Sequence, residues 1–334
     1  VEFGIVSFGS ALGERVPVAD VVNEYTQDTE RVLDYGYRGI HRCTPEVGLT
    51  DLAADAARDA LRTAEIDAQD LDLLVLAITD IPEYLYWDVA AHLQHVLGAD
   101  RAEAVLIAQG CVGGITCFDQ VAGRFATHPD HRTALMVGVN RTCEAYWNRM
   151  DTHSLLFSDG AAAAVAVRDH PSCQWGATEV MTDGRFASFF RMDDGGAANP
   201  FTSGVDKPHV RDAWDMMEYF DYDPDRFGEF VDLMNSRVHE VTTRACRRAG
   251  VGEPDRLILF HDNARTFAAV AEKFGITTDR TNVEISLRDG HFGAADHLLS
   301  LSGHLDAGEF ASGDVVALAG MGRGMHWACT VVRI

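Results

Sequence analysis

The chain contains no run of about 18 consecutive apolar residues, the length a membrane-spanning helix requires, so no membrane span or membrane partner is expected. Basic residues are scarce. Twenty-eight Lys and Arg stand against 51 Asp and Glu, for a formal net charge of −23. A field of that sign disfavours nucleic acid and anionic lipid as partners, and any acidic partner must find a local basic patch. The seven cysteines form no C-x-x-C pair, which argues against a zinc site or a disulfide framework and suits a reduced, cytoplasmic protein. A G-x-x-x-x-G-K-[ST] cradle for nucleotide phosphates is absent. The opening V-E-F-G-I-V-S-F-G reads as a strand rather than a basic-then-apolar leader.

What is present is an ordinary globular composition, 47% hydrophobic and 24% charged over 334 residues, enough for a large core in one double domain or two. The chain is organised around Val105–Phe118, V-L-I-A-Q-G-C-V-G-G-I-T-C-F. The apolar run Ala104 to Ala108 reads as a buried strand, Gln109-Gly110 as a turn, and the segment after Cys111 as a helix. Strand, tight turn, helix presents one side chain at the top of a sheet. There, orphan backbone N–H groups and the helix dipole favour negative charge on sulfur. An arbitrary cysteine is a small buried hydrophobe; the flanking glycines and the strand-to-helix switch tilt Cys111 toward a nucleophile.

The rest of the chain reads as two similar series. In the first, strands are expected at Gly4 to Gly9, Leu71 to Ile78, Thr133 to Val139 and Ala161 to Val167. Helices are expected over Val18 to Leu33, Leu52 to Glu65 with Thr50 as N-cap, and Val89 to Leu97. In the second, strands are expected at Trp175 to Met181, Arg256 to Phe260, Val283 to Leu287, Asp314 to Ala319 and His326 to Ile334. Helices run from Glu229 to Gly250 and from Asn263 to Phe274, and about 183–225 reads as an inserted loop region. The order implies a duplicated α/β fold, residues 1–168 and 169–334, with sheets and helices in layers. It puts His291, in Asp289-Gly290-His291-Phe292-Gly293, where the first half has Cys111.

Four segments in this order resemble the thiolase superfamily, in its ketosynthase III-like branch: Q-G-C-V-G-G-I, L-F-S-D-G-A-A-A-A-V from Leu156, D-R-L-I-L-F-H-D-N-A-R from Asp255, and G-M-G-R-G-M-H-W-A near the end. The resemblance implies a thiolase-like α-β-α-β-α arrangement and a homodimer. It also implies a cysteine that takes an acyl group from acyl-CoA or an acyl carrier protein, with no permanently bound cofactor or metal. A decarboxylating member of the family uses Cys, His and Asn. Here Asn263 and Arg265 favour an alignment with Phe260 at the His position, a one-residue slip would put His261 there, and His291 stands at the Asn position. That pattern is similar to a subgroup of secondary-metabolite pathways, including polyketide and antibiotic biosynthesis, that makes esters through a Cys-His-Asp triad. The corresponding residues are Cys111, His291 and Asp296.

The chemistry stands apart from the family. Transfer to an alcohol needs a nucleophile to hold the acyl group and a base to take the alcohol proton, roles that suit Cys111 and His291. Asp296 would fix the imidazole tautomer. Five residues apart on one helix would place the two about 140° apart, so His291 must precede the helix and Asp296 must lie in its first turns. Backbone N–H groups of Cys111 and, by the resemblance, Gly324 would form the oxyanion hole; Gly320, Gly322 and Gly324 alone suit any tight turn. His261, Asp262 and Asn263 are a second-choice base or pocket wall. Tyr84, Tyr86 and Trp87 suit an acceptor pocket, a core or a dimer contact. His92, His95, His128, His131, His153 and His170 read as surface or core residues. Leu33 and Tyr37 stand where relatives place a Trp and an Arg around the CoA adenine. The expected activity is acyl transfer to a natural-product hydroxyl, most simply of a sugar, without decarboxylation. A carbon–carbon bond-forming 3-oxoacyl-(acyl-carrier-protein) synthase III is the alternative.

Overall fold

A computed structural model of the chain describes residues 1–201 and 217–334. The first strand, β1 (Phe3–Leu12), leads through β2 (Glu14–Pro17), α1 (Val18–Tyr25) and α2 (Thr29–Asp34) to β3 (Gly39–Arg42). Then come α3 (Leu49–Ala64), β4 (Leu73–Ile78), α4 (Val89–Leu97), β5 (Glu103–Ile107), α5 (Gly113–Thr127), β6 (Thr133–Asn140) and β7 (Gly160–Arg168). After β8 (Gln174–Thr182) follow α6 (Pro224–Arg248), β9 (Arg256–Leu259), α7 (Ala264–Lys273), α8 (Val283–Asp289), α9 (Asp296–Asp306), β10 (Val315–Gly322) and β11 (His326–Arg333). Of the loop expected at about 183–225, residues 202–216 lie outside the described residues.

Nine strands form one mixed sheet in the order β5-β4-β6-β7-β1-β8-β11-β10-β9, and β2 with β3 makes a separate ribbon. Its wings, β5 to β1 and β8 to β9, meet at a single Cα pair, Gly4 with Gln174. Apolar residues on both faces of the strands demand cover on both sides. Leu52 and Ala56 of α3 and Leu93 of α4 cover the outer face of the first wing against Leu76 and Val137. Val238 of α6 and Phe267 of α7 cover the second wing against Ala317 and Leu257. Between the wings lie Ile115, Phe118 and Phe125 of α5 and Leu298 and Leu301 of α9, packed on Phe3, Val75, Ile258 and Leu318. Burying each such side chain contributes roughly 1.5–3 kcal/mol. The result is a mixed α/β, layered thiolase-like fold with a central helix pair whose N-termini both carry site residues.

Three local expectations are corrected. The alternating V-E-I-S-L of Val283 to Leu287 is not a strand; it lies within helix α8. Residue Thr281 touches β9 at one bridge, to Leu257. The Asn282 side chain then accepts from the Leu259 N–H and donates to the Leu259 carbonyl, both at 2.8 Å, so an amide side chain ends the ladder where the next backbone pair would sit. The helix expected over Val18 to Leu33 breaks between α1 and α2, because Asp28 caps α2 by accepting from the Arg31 N–H. Thr50 is not an N-cap: Gly48 holds that place, its N–H donating to Asp51 at 2.9 Å, while the Thr50 N–H donates to Glu83.

The L-F-S-D-G segment has a structural reason. Asp159, fully buried, accepts from the backbone N–H groups of Cys43 and Thr142 at 2.9 Å each and pairs with Arg149 at 3.2 Å. Ser158 receives the His41 N–H at 3.0 Å and donates to the Asp289 carbonyl at 2.6 Å. The Ser158 N–H donates to the His291 carbonyl at 2.7 Å, and the His291 N–H to the Leu156 carbonyl at 2.8 Å. This clasp fixes the loop bearing His291 to the first wing.

Without Arg149, Asp159 keeps Arg141 at 3.4 Å and its two backbone donors but loses its buried partner. Arg149→Met is therefore expected to lower unfolding stability by about 1–3 kcal/mol, the cost of charged hydrogen bonds lost in a buried site. A urea midpoint within error of the unaltered protein would show that Arg149 does not hold the clasp.

Candidate active site

The strand expected at Ala104 to Ala108 is present as β5 but is not buried: it is the edge of the sheet, with Leu106 exposed and only Ile107 covered. It delivers the chain to a short turn, Gly110–Val112, from which α5 starts at Gly113. The matching turn in the second wing is Gly293–Ala295, from which α9 starts at Asp296. The two turns touch. A Cβ on Gly114 would collide with the Ala294 carbonyl, and Gly293, at φ +56°, packs on Thr79. The Thr79 hydroxyl accepts the Ala294 N–H at 2.7 Å.

That contact brings Cys111 Sγ to 3.0 Å from His291 Nε2, and His291 Nδ1 lies 2.6 Å from Asp296 Oδ2. His291 precedes the helix and Asp296 is its first residue. Both are fully buried, whereas Cys111 is partly exposed. Asp296 also accepts the Phe292 N–H at 2.6 Å and the His261 N–H at 2.7 Å. Burial alone would raise its carboxyl, but His261, His291 and these hydrogen bonds hold it at about 2. Burial likewise depresses His291, yet the facing Asp296 and Cys111 keep it well above its ordinary value.

Cys111 opens on a cavity of about 310 Å³ walled by Trp147, Phe157, Phe190 and Phe260, with Thr79, Asp80, Asp262 and two arginines as polar groups. The two-residue period at the end of β9 decides between Phe260 and His261. Phe260 faces the cavity, 6.2 Å from the His291 ring centroid. His261 turns into the core, its Nδ1 2.7 Å from the Gly290 carbonyl and its Nε2 2.7 Å from Ser300. Both ring nitrogens are engaged, so the expectation of His261 as base or pocket wall is corrected. Asp262 does line the cavity, while Asn263 caps α7 by accepting from Arg265 and Thr266.

Gly324 stands between Arg323 and Met325, both in the cavity wall, and the Gly322 turn overlies the Cys111 N–H. His153 was expected at the surface or in the core and instead lines the cavity. Tyr84, Leu85 and Tyr86 are exposed and outside the cavity wall. Tyr37 is buried in a side cluster with Ile40 and Leu156, and Leu33 is exposed. Thr79, Asp80 and Arg323 were missed. Only one signal pointed to the first two: they end a parallel strand, where α/β sheets place ligands. Among the described residues, no cluster of His, Cys, Asp or Glu could hold a metal, and no helix is long and apolar enough to cross a membrane.

Asp262 yields a prediction. Burial raises its carboxyl to about 6 although the Asn263 N–H and the Ser154 hydroxyl donate to it. A folded-state value above the ordinary one means the folded chain binds this proton more tightly than the unfolded chain. The group therefore opposes folding at pH above 6, by an order of 3 kcal/mol, and not below about pH 4. Asp262→Asn should raise the melting temperature at pH 7.5 and lose that advantage near pH 3.5. An equal shift at both pH values would refute a buried, proton-binding carboxyl.

The chain is similar to known proteins over its whole length. A family profile for the C-terminal region of 3-oxoacyl-[acyl-carrier-protein] synthase III matches residues 247–334. β-Ketoacyl-[acyl-carrier-protein] synthase III of Synechocystis is 29% identical over 336 residues, covering 98% of this chain and 97% of its own. That of Gloeobacter violaceus is 30% identical over 333 residues, covering 97% of each. Among solved structures, 3-oxoacyl-[acyl-carrier-protein] synthase III of Aquifex aeolicus superposes with a TM-score of 0.81 at 24% identity, covering 99% of this chain and 100% of its own. The acyltransferase ChlB3 gives 0.83 at 21% identity, covering 100% and 98%. At that identity the structures speak for the fold. Full-length identity of 30% speaks for the family: the chain belongs to the β-ketoacyl-[acyl-carrier-protein] synthase III family of the thiolase superfamily and is an enzyme of acyl-transfer chemistry.

Proposed function

We propose that this enzyme moves an acyl group from a CoA or carrier-protein thioester, through an acyl-Cys111 intermediate, to a hydroxyl of a natural-product acceptor such as a sugar. The product is an ester and no carbon dioxide is lost. The observation that carries this reading is the continuous Cys111–His291–Asp296 chain at 3.0 and 2.6 Å, with Phe260 beside it. Forming a carbon–carbon bond by decarboxylation needs donors aimed at an enolate oxygen. A phenyl ring supplies none, and once Cys111 is acylated the neutral His291, with Nδ1–H held by Asp296, turns a bare Nε2 to the cavity, an acceptor rather than a donor.

Protons balance through His291. In the resting pair one proton lies between Cys111 Sγ and His291 Nε2, 3.0 Å apart. Sulfur attacks the donor thioester, the tetrahedral oxyanion rests on the N–H groups of Cys111 and Gly324, and the donor thiolate departs with the His291 proton. With that proton gone on the donor thiol, His291 is left as a neutral base. The acceptor hydroxyl then gives its proton to His291 as its oxygen attacks the acyl carbon. The ester leaves and the Cys111 thiolate returns. Asp296 keeps Nδ1 protonated so that Nε2 faces the reaction.

The same reading treats the chain as two duplicated halves, 1–168 and 169–334, in a cytoplasmic homodimer that serves secondary metabolism. Buried Tyr37 and exposed Leu33 offer no sandwich for a CoA adenine, which favours a carrier-protein donor or a rearranged CoA site. A carbon–carbon bond-forming ketosynthase is the second reading, favoured by the names of the β-ketoacyl synthase III relatives. Product mass decides between them. An acceptor that gains an intact malonyl group from a malonyl donor supports ester transfer, and one that gains acetyl or acetoacetyl units supports the ketosynthase.

Cys111→Ala should abolish acyl loading in intact-protein mass spectrometry, and a stable thioester on another cysteine would displace the assignment. His291→Ala should slow transfer by about 10²–10⁴-fold. Asp296→Asn should also slow it, and the double variant should be little worse than His291→Ala alone, since members of one unit do not add. A fully active Asp296→Asn enzyme would sink the triad.

A further inference from the structure

Two arginines stand in the cavity wall. Arg191 is paired with Asp193 at 2.7 Å. Arg323 makes no hydrogen bond or ion pair with any described residue, yet its position is not casual. Its backbone N–H and its Cγ each lie 3.1 Å from where a Cβ on Gly110 would stand, directly over the nucleophile's turn. The carboxylate whose charge it feels is Asp80, in the same wall. Asp80 is already supplied with donors: the N–H groups of Ile81 at 2.7 Å and Cys143 at 2.9 Å, and Trp147 Nε1 at 3.1 Å.

The surroundings argue against an idle guanidinium. The chain carries a net charge of −23, and Asp80, Asp151 and Asp262 line the cavity. An anionic substrate would be turned away unless one cation at the reacting end were left uncommitted. Arg presents a planar fork of donors matched to a carboxylate or a phosphate. Distance separates those two. With its thioester at Cys111, an extended phosphopantetheine arm carries its phosphate about 16 Å away, the length of roughly five extended residues. Arg323 overlies Gly110, the residue next to the nucleophile, and shares the cavity wall with Cys111, so it stands at the acyl end of that arm rather than at its phosphate.

We propose that Arg323 reads a free carboxylate at the far end of the acyl group held on Cys111, so that the donor is a dicarboxylic half-thioester of about malonyl length. This rests on the acyl-transfer reading and names the class of its donor. The pairing also protects the group it selects. Loss of carbon dioxide pushes the carboxylate's bonding pair onto the α-carbon and takes the negative charge away from the guanidinium, so an ion-paired carboxylate resists it. Arg323 and Phe260 thus act in one direction: the first holds the carboxylate and the second withholds stabilisation from an enolate.

The test uses the full chain, with malonyl- and acetyl-N-acetylcysteamine as donors that share a leaving group and carry no phosphate. Cys111 loading rates are read by intact-protein mass spectrometry for the unaltered enzyme, Arg323→Met and Arg323→Lys. The unaltered enzyme should load malonyl at least about tenfold faster than acetyl. Arg323→Met should lower the malonyl-to-acetyl ratio by tenfold or more, and Arg323→Lys should recover part of it. An unchanged ratio in Arg323→Met, or acetyl loading without malonyl loading in the unaltered enzyme, overturns the inference and leaves acyl transfer standing. Repeating the series with acetyl-CoA exposes the other source: a loss in Arg323→Met confined to the CoA donor would assign the guanidinium to a phosphate and overturn the carboxylate. If Cys111 of the unaltered enzyme gains no acyl mass from either small donor, from malonyl- and acetyl-CoA or from the acylated carrier proteins, the acyl-transfer reading falls first and takes this one with it.

Discussion

One carboxylate holds the site together. Asp296 is fully buried, and a buried charge without partners would cost several kcal/mol. Its two oxygens instead meet the Phe292 N–H, the His261 N–H and His291 Nδ1, and it lies at the positive end of α9. Those donors come from the turn before α9, the end of β9 and the ring facing Cys111. The group that sets the imidazole tautomer is thus also the joint between a strand, a turn and a helix. His261 belongs to the same joint: its ring ties the Gly290 carbonyl to Ser300 of α9.

The second constraint is how closely two turns can approach. Sγ and Nε2 come within 3.0 Å only because the Ala294 carbonyl can press against the Cα of Gly114. The glycines after Cys111 serve that contact between turns, in addition to starting a helix. The clasp around Asp159 then holds the loop from the other side, through paired backbone hydrogen bonds between Leu156, Ser158 and His291.

Much of this was legible because it is local. Strand, turn and helix around Cys111 follow from apolar runs and glycines. The position of His291 before the helix and Asp296 at its start follows from helix geometry, once the two are suspected to meet. What was hidden depends on partners far along the chain. Val283 to Leu287 alternates like a strand, and only the Asn282 amide against Leu259 shows why no strand forms. Neither Arg323 nor His153 carries a local mark of facing a cavity. Arg323 meets Gly110, and His153 meets Phe227, only in the folded chain. The choice between Phe260 and His261 was one residue of register, which sequence leaves open and the pleat of β9 decides.

The Asn282 amide has a consequence beyond local structure. A sheet with two free edges can stack copies without limit, whereas closed assemblies need the growth to stop. Here the β9 edge is sealed by a side chain bonded to the Leu259 N–H and carbonyl. At the opposite end β5 pairs with β4 alone, and Leu106 in it is exposed. Among the described residues of the nine-stranded sheet, pairing with a further strand is therefore closed at β9 and open at β5.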